Sequence, residues 1–496
     1  MHIRFPAPVW IVGLIIATAI VAIAAFAYWH DSGSAAAHSL AWSDCGDDFD
    51  CARLDVPIDY DHPSGKKISL ALTRLAAADP AQRVGVLLLN PGGPGASGID
   101  FAHSAQRAFP DAVRARFDII GFDPRGVGQS APVVCDSPTA APTVEASATP
   151  DQRTPGARFL DSLKKYAESC QRSTGDLLAF VDTVSSARDI ERIRIALGED
   201  SISYFGYSYG TFLGATYADL YPSRVRAFVL DGAIDPSLDY EAFRGAQALA
   251  SETALTAFLA DCARRADCPY HNDGNPQQHF EKLRATLDQT PLLVTSPSGF
   301  KRRIDGYFML AATGRGLSLR APWQTLSQAL SDAEFPHDGT ALAGLLSGGD
   351  PSSRTRRNFA NAKIAINCLD EQLPAIDEVD RFVADLEAKA PHFAEYEVSG
   401  AVYCISWPFP AKGVPHELHA DGAPPILVVG TKGDPVTPYV WAQSLARQLT
   451  SGRLLTWTGN GHTAAFHNPS NGACIDDAVA AYLIDLTLPN EGKSCD

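Results

Sequence analysis

The chain has 496 residues, 46% of them hydrophobic, and a formal net charge of −16 from 41 basic and 57 acidic side chains. That length and apolar share describe a folded protein with a large core and room for two or three domains. The acidic balance, with no basic patch to oppose it, argues against nucleic acid and anionic membrane surfaces as partners.

Arg4 precedes Val9 to Trp29, an uncharged run long enough to cross about 30 Å of hydrocarbon. It predicts a signal anchor over residues 1–30 that holds the protein to the cell membrane, followed by a small polar stalk over 31–44. Cleaved signal peptides carry shorter apolar regions, about 7–15 residues, and Ala35-Ala36-Ala37 is a weak cleavage site, so secretion after cleavage is the alternative. With Arg4 inside, everything beyond Trp29 lies on the outer face. The 10 cysteines contain no C-x-x-C pair and fit disulfides in an oxidising compartment better than a metal site. Proximity suggests Cys45 with Cys51, Cys135 with Cys170, Cys262 with Cys268, Cys368 with Cys404, and Cys474 with Cys495.

Arg53 to Tyr60 and Lys67 to Ala76, on either side of a turn-rich stretch, read as an antiparallel hairpin. Val84 to Leu89 and Phe117 to Phe122 are short continuous apolar runs, of the kind buried on both faces of a parallel sheet. The first ends in Asn90-Pro91-Gly92-Gly93-Pro94-Gly95-Ala96-Ser97-Gly98. Gly93 to Gly98 is formally G-x-G-x-x-G, with Asp118 and Asp123 beyond it, but Pro94 stiffens the turn that would approach a pyrophosphate. The other use of such a loop is to aim backbone N–H groups at a developing oxyanion, which makes Gly93 a donor candidate. For Asp123-Pro124-Arg125-Gly126-Val127-Gly128-Gln129-Ser130, a structural and a functional role are equally open. Residues 136–156, rich in Ser, Thr, Ala and Pro, read as an exposed excursion.

Ile202 to Phe205 then leads into Gly206-Tyr207-Ser208-Tyr209-Gly210-Thr211, and a helix-like stretch follows. A serine framed by glycines between strand and helix is the pattern of a nucleophile elbow, whose tight turn leaves no room for a Cβ at Gly206 or Gly210. Val225 to Leu230 is another strand. From 237 to 408 helix-like segments dominate, such as Tyr240 to Arg265 and Trp323 to Ser331, so this stretch reads as an inserted helical cap. Strands resume at Ile426 to Val429 and Arg453 to Thr458, with helices at Val440 to Leu449 and Ile475 to Ile484. The alternation predicts an α/β domain with a mostly parallel sheet flanked by helices, built from residues 45–236 and 409–496.

An acid and a histidine must follow the serine if it is a nucleophile. Asp434 stands in the loop after Ile426 to Val429, and His462 after Arg453 to Thr458. In that geometry His462 takes the Ser208 proton and Asp434 holds the imidazole. The N–H groups of Tyr209 and Gly93 would hold the oxyanion. Asp231 and Asp235 also follow a strand and compete for the acid's place; His467 competes with His462. His416 and His419 lack the i, i+4 spacing of a zinc helix motif, and neither a metal nor a cofactor is expected.

Asn90 to Gly98, Asp123 to Ser130, Gly206 to Thr211, Gly433 to Pro438 and Gly461-His462 together resemble the secreted tripeptidyl aminopeptidases of actinobacteria, within the proline iminopeptidase group of α/β-hydrolases. The resemblance implies an exopeptidase acting on peptides with a free N-terminus, with Ser208, Asp434 and His462 as its triad and the cap limiting how much peptide enters. Ala365 to Glu371 resembles a feature of the tripeptidyl branch, which makes Asp370 and Glu371 candidates for binding the substrate ammonium. Asn90-Pro91 replaces the His with which proline iminopeptidases begin this loop. An esterase or lipase with the same triad is the first alternative, and a catalytically silent surface-binding protein the second.

Overall fold

The computed structural model describes residues 40–136, 157–295, 301–319, 323–347, 354–399, 402–467 and 473–496. The expected anchor, most of the stalk and nearly all of the 136–156 excursion lie outside the described residues. The described chain begins with β1 (Ser43–Gly46), β2 (Phe49–Pro57), β3 (Lys67–Leu75), β4 (Gly85–Asn90), α1 (Gly98–Ala108), α2 (Asp111–Arg116) and β5 (Phe117–Phe122). It continues with α3 (Ala157–Thr174), α4 (Thr183–Leu197), β6 (Ile202–Tyr207), α5 (Tyr209–Leu220) and β7 (Val225–Asp231). Residues 43–44, expected in the stalk, already belong to the edge strand β1.

Between β7 and the next sheet strand lie α6 (Tyr240–Arg264), α7 (Pro276–Gln289), the hairpin β8 (Leu292–Thr295) and β9 (Lys301–Ile304), α8 (Gly306–Ser318), α9 (Gln324–Glu334), α10 (Thr340–Ser347), α11 (Arg354–Asp370), α12 (Ile376–Glu387) and α13 (Ala394–Ser399). The chain closes with β10 (Ile426–Gly433), α14 (Tyr439–Gln448), β11 (Gly452–Asn460), α15 (Ala473–Asp485) and β12 (Ser494–Cys495).

The main sheet runs β1-β2-β3-β5-β4-β6-β7-β10-β11-β12. It is antiparallel from β1 through the β3–β5 pair and parallel from there on. The continuous apolar strands explain this arrangement. Val86 and Leu88 of β4 face one core with Ile190 of α4 and Leu213 of α5. Their neighbours Leu87 and Leu89 face a second core with Ala102 of α1 and Leu483 of α15. A strand that buries alternate side chains in two cores has no polar face, and so reads as one apolar run.

A third core, formed mainly by α6–α10 and α13, holds the insertion together. Its β8–β9 hairpin had no buried-strand signature, because Leu293 and Lys301 are exposed. α11 belongs elsewhere: Ala362, Ala365, Ile366 and Leu369 line one side of that helix and pack into the hydrolase core. The cysteines join in the five expected pairs. Among the described residues no helix is long and apolar enough to cross a membrane.

This topology fixes where a site can form. β5 and β6 flank β4 on opposite sides, so the order of connection reverses there, and the carboxyl ends of β4 and β6 open onto one crevice. The glycine loop leaves from β4 and the serine turn from β6.

Candidate active site

Ser208 sits between β6 and α5 at φ 55°, a left-handed backbone angle that costs a non-glycine residue energy. The neighbouring glycines are required by close approach. A Cβ on Gly206 would come within 2.6 Å of the Gly210 carbonyl oxygen, and one on Gly210 within 2.7 Å of the Asn90 carbonyl oxygen. The turn is held from beneath by the Ser208 N–H, which donates to the Asp231 carbonyl at 2.9 Å.

Asp434 opens the loop after β10 and is almost wholly buried, with 3% of its surface exposed. Its carboxylate accepts from the N–H groups of Val436 and Thr437 at 2.8 and 2.9 Å, and from the Thr437 hydroxyl at 2.8 Å. The Thr463 N–H adds a further contact at 3.2 Å. His462 Nδ1 lies 2.9 and 3.1 Å from the two carboxylate oxygens. A carboxylate cannot donate, so Nδ1 carries the proton and Nε2 is left basic.

Asp231 and Gly232 join the two halves. The Asp231 carboxylate accepts the Ala464 N–H at 2.8 Å and the Ala465 N–H at 2.7 Å, which fixes the turn after His462. A Cβ on Gly232 would lie 3.2 Å from His462 Cε1. One strand end therefore carries the serine turn on its carbonyl and the histidine loop on its carboxylate. Asp235 serves a turn instead, accepting from Ser237 and Gln448. His467 stacks on Tyr207 with ring centroids 4.5 Å apart.

The glycine loop closes over the elbow. Asn90 Oδ1 accepts the Gly92 N–H at 2.9 Å, and a Cβ on Gly92 would sit 3.0 Å from both Ser208 Cβ and the Tyr209 nitrogen. Tyr209 opens α5, so its N–H has no acceptor within the helix. The loop's outer side is filled by α11: a Cβ on Gly95 would meet the Phe359 carbonyl at 2.8 Å. A pyrophosphate has no room there, which removes the dinucleotide reading of Gly93 to Gly98.

Ser208, Tyr209 and Gly93 open into a cavity of about 900 Å³ between the sheet and the inserted helices. Asp370 and Glu371, at the end of α11, line the same cavity. Asp370 accepts from the Thr183 N–H at 2.9 Å and the Thr183 hydroxyl at 2.6 Å. Burial pushes its carboxyl up to about 7, against the Thr183 donors that hold it down. Glu371 is instead engaged by Arg244, at 2.8 and 2.5 Å. Cys368 pins this helix end to Cys404.

Residues 390–495 match the family described as TAP-like protein. The chain is 37% identical over 465 residues to serine protease Hip1 of Mycobacterium tuberculosis, covering 90% of this chain and 87% of that protein. It is 35% identical over 461 residues to carboxylesterase B of the same organism, covering 90% and 86%. It is 33% identical over 476 residues to the tripeptidyl aminopeptidase of Streptomyces lividans, covering 91% and 85%. The chain belongs to the TAP-like family of α/β hydrolases. It is a serine hydrolase.

Several residues of this TAP-like hydrolase's site escaped the sequence reading. Thr437 had a local signal, since a threonine three residues after a loop aspartate can close an Asx-type turn. Thr183 had none: its hydroxyl lies 2.5 Å from the Tyr209 hydroxyl and so links Asp370 to the elbow. Burial, then the charge of Asp370, keeps the Tyr209 phenol well above its ordinary range, so Tyr209 donates to Thr183 and Thr183 to Asp370. The Asp123 to Ser130 stretch is structural. Asp123 accepts from Ser97 and Gln129. The fully buried Arg125 forms a two-pronged pair with Asp189 at 2.7 and 2.6 Å.

Proposed function

We propose that the protein is an extracytoplasmic, membrane-anchored serine peptidase that removes short peptides from free N-termini through a Ser208–His462–Asp434 triad. The observation that carries the substrate reading is Asp370, a half-buried carboxylate without a cationic partner among the described residues, on the wall of the cavity that holds Ser208. A peptide ammonium supplies that partner, and a charge pair is strong where water is excluded. Glu371 stands beside it, with Arg244 already drawing on its charge. Extracytoplasmic placement is supported by the uncharged Val9 to Trp29 run and by five disulfides.

The proposed chemistry uses these residues in turn. The Ser208 hydroxyl attacks the scissile carbonyl while His462 Nε2 takes its proton, and Asp434 stabilises the imidazolium. The N–H groups of Tyr209 and Gly93 receive the oxyanion. His462 then protonates the leaving amine, and water repeats the cycle on the acyl-enzyme. Likeness to carboxylesterase B at 35% identity supports a second reading, ester hydrolysis by the same residues.

Free-amine tripeptide anilides, their N-acetylated forms and short-chain aryl esters separate the two readings. Turnover of the free-amine anilide well above its acetylated form is expected. Equal turnover of the two, or cleavage of esters alone, sinks the aminopeptidase reading.

A further inference from the structure

α11 turns two opposite groups toward the catalytic cavity. Asp370 stands at its C-terminal end and Lys363 two turns earlier, and both line the cavity wall. Seven residues of helix separate them by about 10 Å along the axis. Lys363 is the end nearer the glycine loop, where a Cβ on Gly95 would lie 3.1 Å from the Lys363 backbone nitrogen.

The Lys363 ammonium has no hydrogen-bond acceptor or ion-pair partner among the described residues. Its surroundings do not neutralise it. Arg244 and Arg315 bring further positive charge, and Glu371 and Glu397 the negative charge. Glu371 is held by Arg244 through both oxygens, and Glu397 accepts from Ser251 at 3.2 Å. Three cations thus face two carboxylates: Arg244 is paired and Arg315 is not part of the cavity wall, which leaves Lys363, of the three, as the unpaired cation on that wall. Although the side chain is exposed to the cavity, the protein packed around it, then the charge of Arg244, lowers the Lys363 pKa below its ordinary value. The side chain is exposed on the cavity wall, so its pairing with a carboxylate strengthens as a bound peptide displaces the water around it.

We propose that Lys363 forms an anion subsite in the catalytic cavity that receives a substrate carboxylate. The carboxylate comes from an acidic side chain or from the C-terminus of a short peptide. Its position along the peptide rests on the aminopeptidase reading. With the ammonium at Asp370, an extended chain advancing about 3.3–3.6 Å per residue covers the helix distance in three residues. The acidic side chain therefore belongs at the third or fourth residue.

The test uses the full chain and free-amine alanine hexapeptide amides, with Glu or Gln placed at each position in turn, and the all-alanine peptide as C-terminal acid and amide. Cleavage is followed by mass spectrometry. Wild type is expected to favour Glu over Gln by about 10-fold in kcat/KM at position three or four if a side chain is the source. It favours the short acid over the amide if the C-terminus is the source. Lys363→Met abolishes the preference and keeps neutral-peptide turnover within about two-fold, and Lys363→Glu shifts it toward Lys-bearing peptides.

No carboxylate preference in wild type, or one that survives in Lys363→Met, overturns the subsite. Aryl glutarate and aryl butyrate monoesters run the same comparison independently of the peptide chemistry, so the subsite is decided even if acetylated peptides turn over equally and the aminopeptidase reading fails.

Discussion

The Asp231 carbonyl accepts the Ser208 N–H at 2.9 Å, while the carboxylate of the same residue holds the turn after His462. An Asp231→Asn change keeps the shape but turns an amide donor toward N–H groups that need an acceptor. The expected loss is about 1–3 kcal/mol of stability. Turnover should fall with it, because the turn after the histidine loosens. Chemical denaturation and steady-state kinetics on the same sample check both; an unchanged midpoint would show that the brace is unimportant.

Asp434→Asn should cut kcat about 10⁴-fold while leaving the fold intact, since the amide cannot hold the same imidazole tautomer. Ser208→Ala should abolish labelling by a fluorophosphonate probe. If the alanine variant is still labelled, the nucleophile is elsewhere.

Asp370 must be ionised to hold an ammonium, and its carboxyl titrates at about 7. The ratio of kcat/KM for free-amine over acetylated substrates should therefore rise with pH up to about 7 and fall once the substrate amine loses its proton near 8. Taking the ratio cancels any pH dependence that the two substrates share. Asp370→Asn should flatten the rising limb; a limb that persists assigns it to another group.

The same group makes a stability prediction of opposite sense. Its folded pKa lies above that of an unfolded aspartate, so the contribution is fully present below about 4 and lost as pH rises through about 7. Asp370→Asn should raise Tm at pH 8 by about 2–4 °C. A lower Tm at that pH would mean that the Thr183 bonds outweigh the buried charge.

His392 lies between Glu252 at 2.6 Å and Glu281 at 2.7 Å, clamping the turn before α13 to α6 and α7. Burial alone would lower its pKa, but the hydrogen bonds and charges of Glu252 and Glu281 outweigh burial and hold it above the ordinary imidazole value. A raised pKa stabilises fully below about 6.5 and is lost as pH climbs through the folded value. His392→Gln should thus be less stable than wild type at pH 5.5, by about 1 kcal/mol once screening of the half-exposed Glu281 is allowed for. The gap should close by pH 9, as thermal melts at both values would reveal.

What could be read in the chain followed the range of the interaction. β5 falls where its apolar run does, and β4, β6 and β7 within a residue or two. The elbow, the glycine loop and the two loops carrying Asp434 and His462 are each local patterns at strand ends, so they too were visible. The Arg125–Asp189 pair spans 64 residues and left no mark on either segment. α11 shows the same limit: its polar side, with Lys363, Asn367 and Asp370, lines the cavity, although in sequence it resembles any solvated face. β1 has no apolar residue facing a core, and only its pairing with β2 defines it.

The cleft in which Ser208 works is walled by α6 and α11, and another inserted helix, α8, reaches the machinery directly. The helix ends at Ser318, whose carbonyl lies 2.9 Å from the His462 backbone nitrogen and accepts its hydrogen.

That single bond ties the insertion to the base. Displacing α8 from the sheet removes one support of the imidazole, so the inserted helices hold the proton acceptor in place as well as bounding the substrate's space.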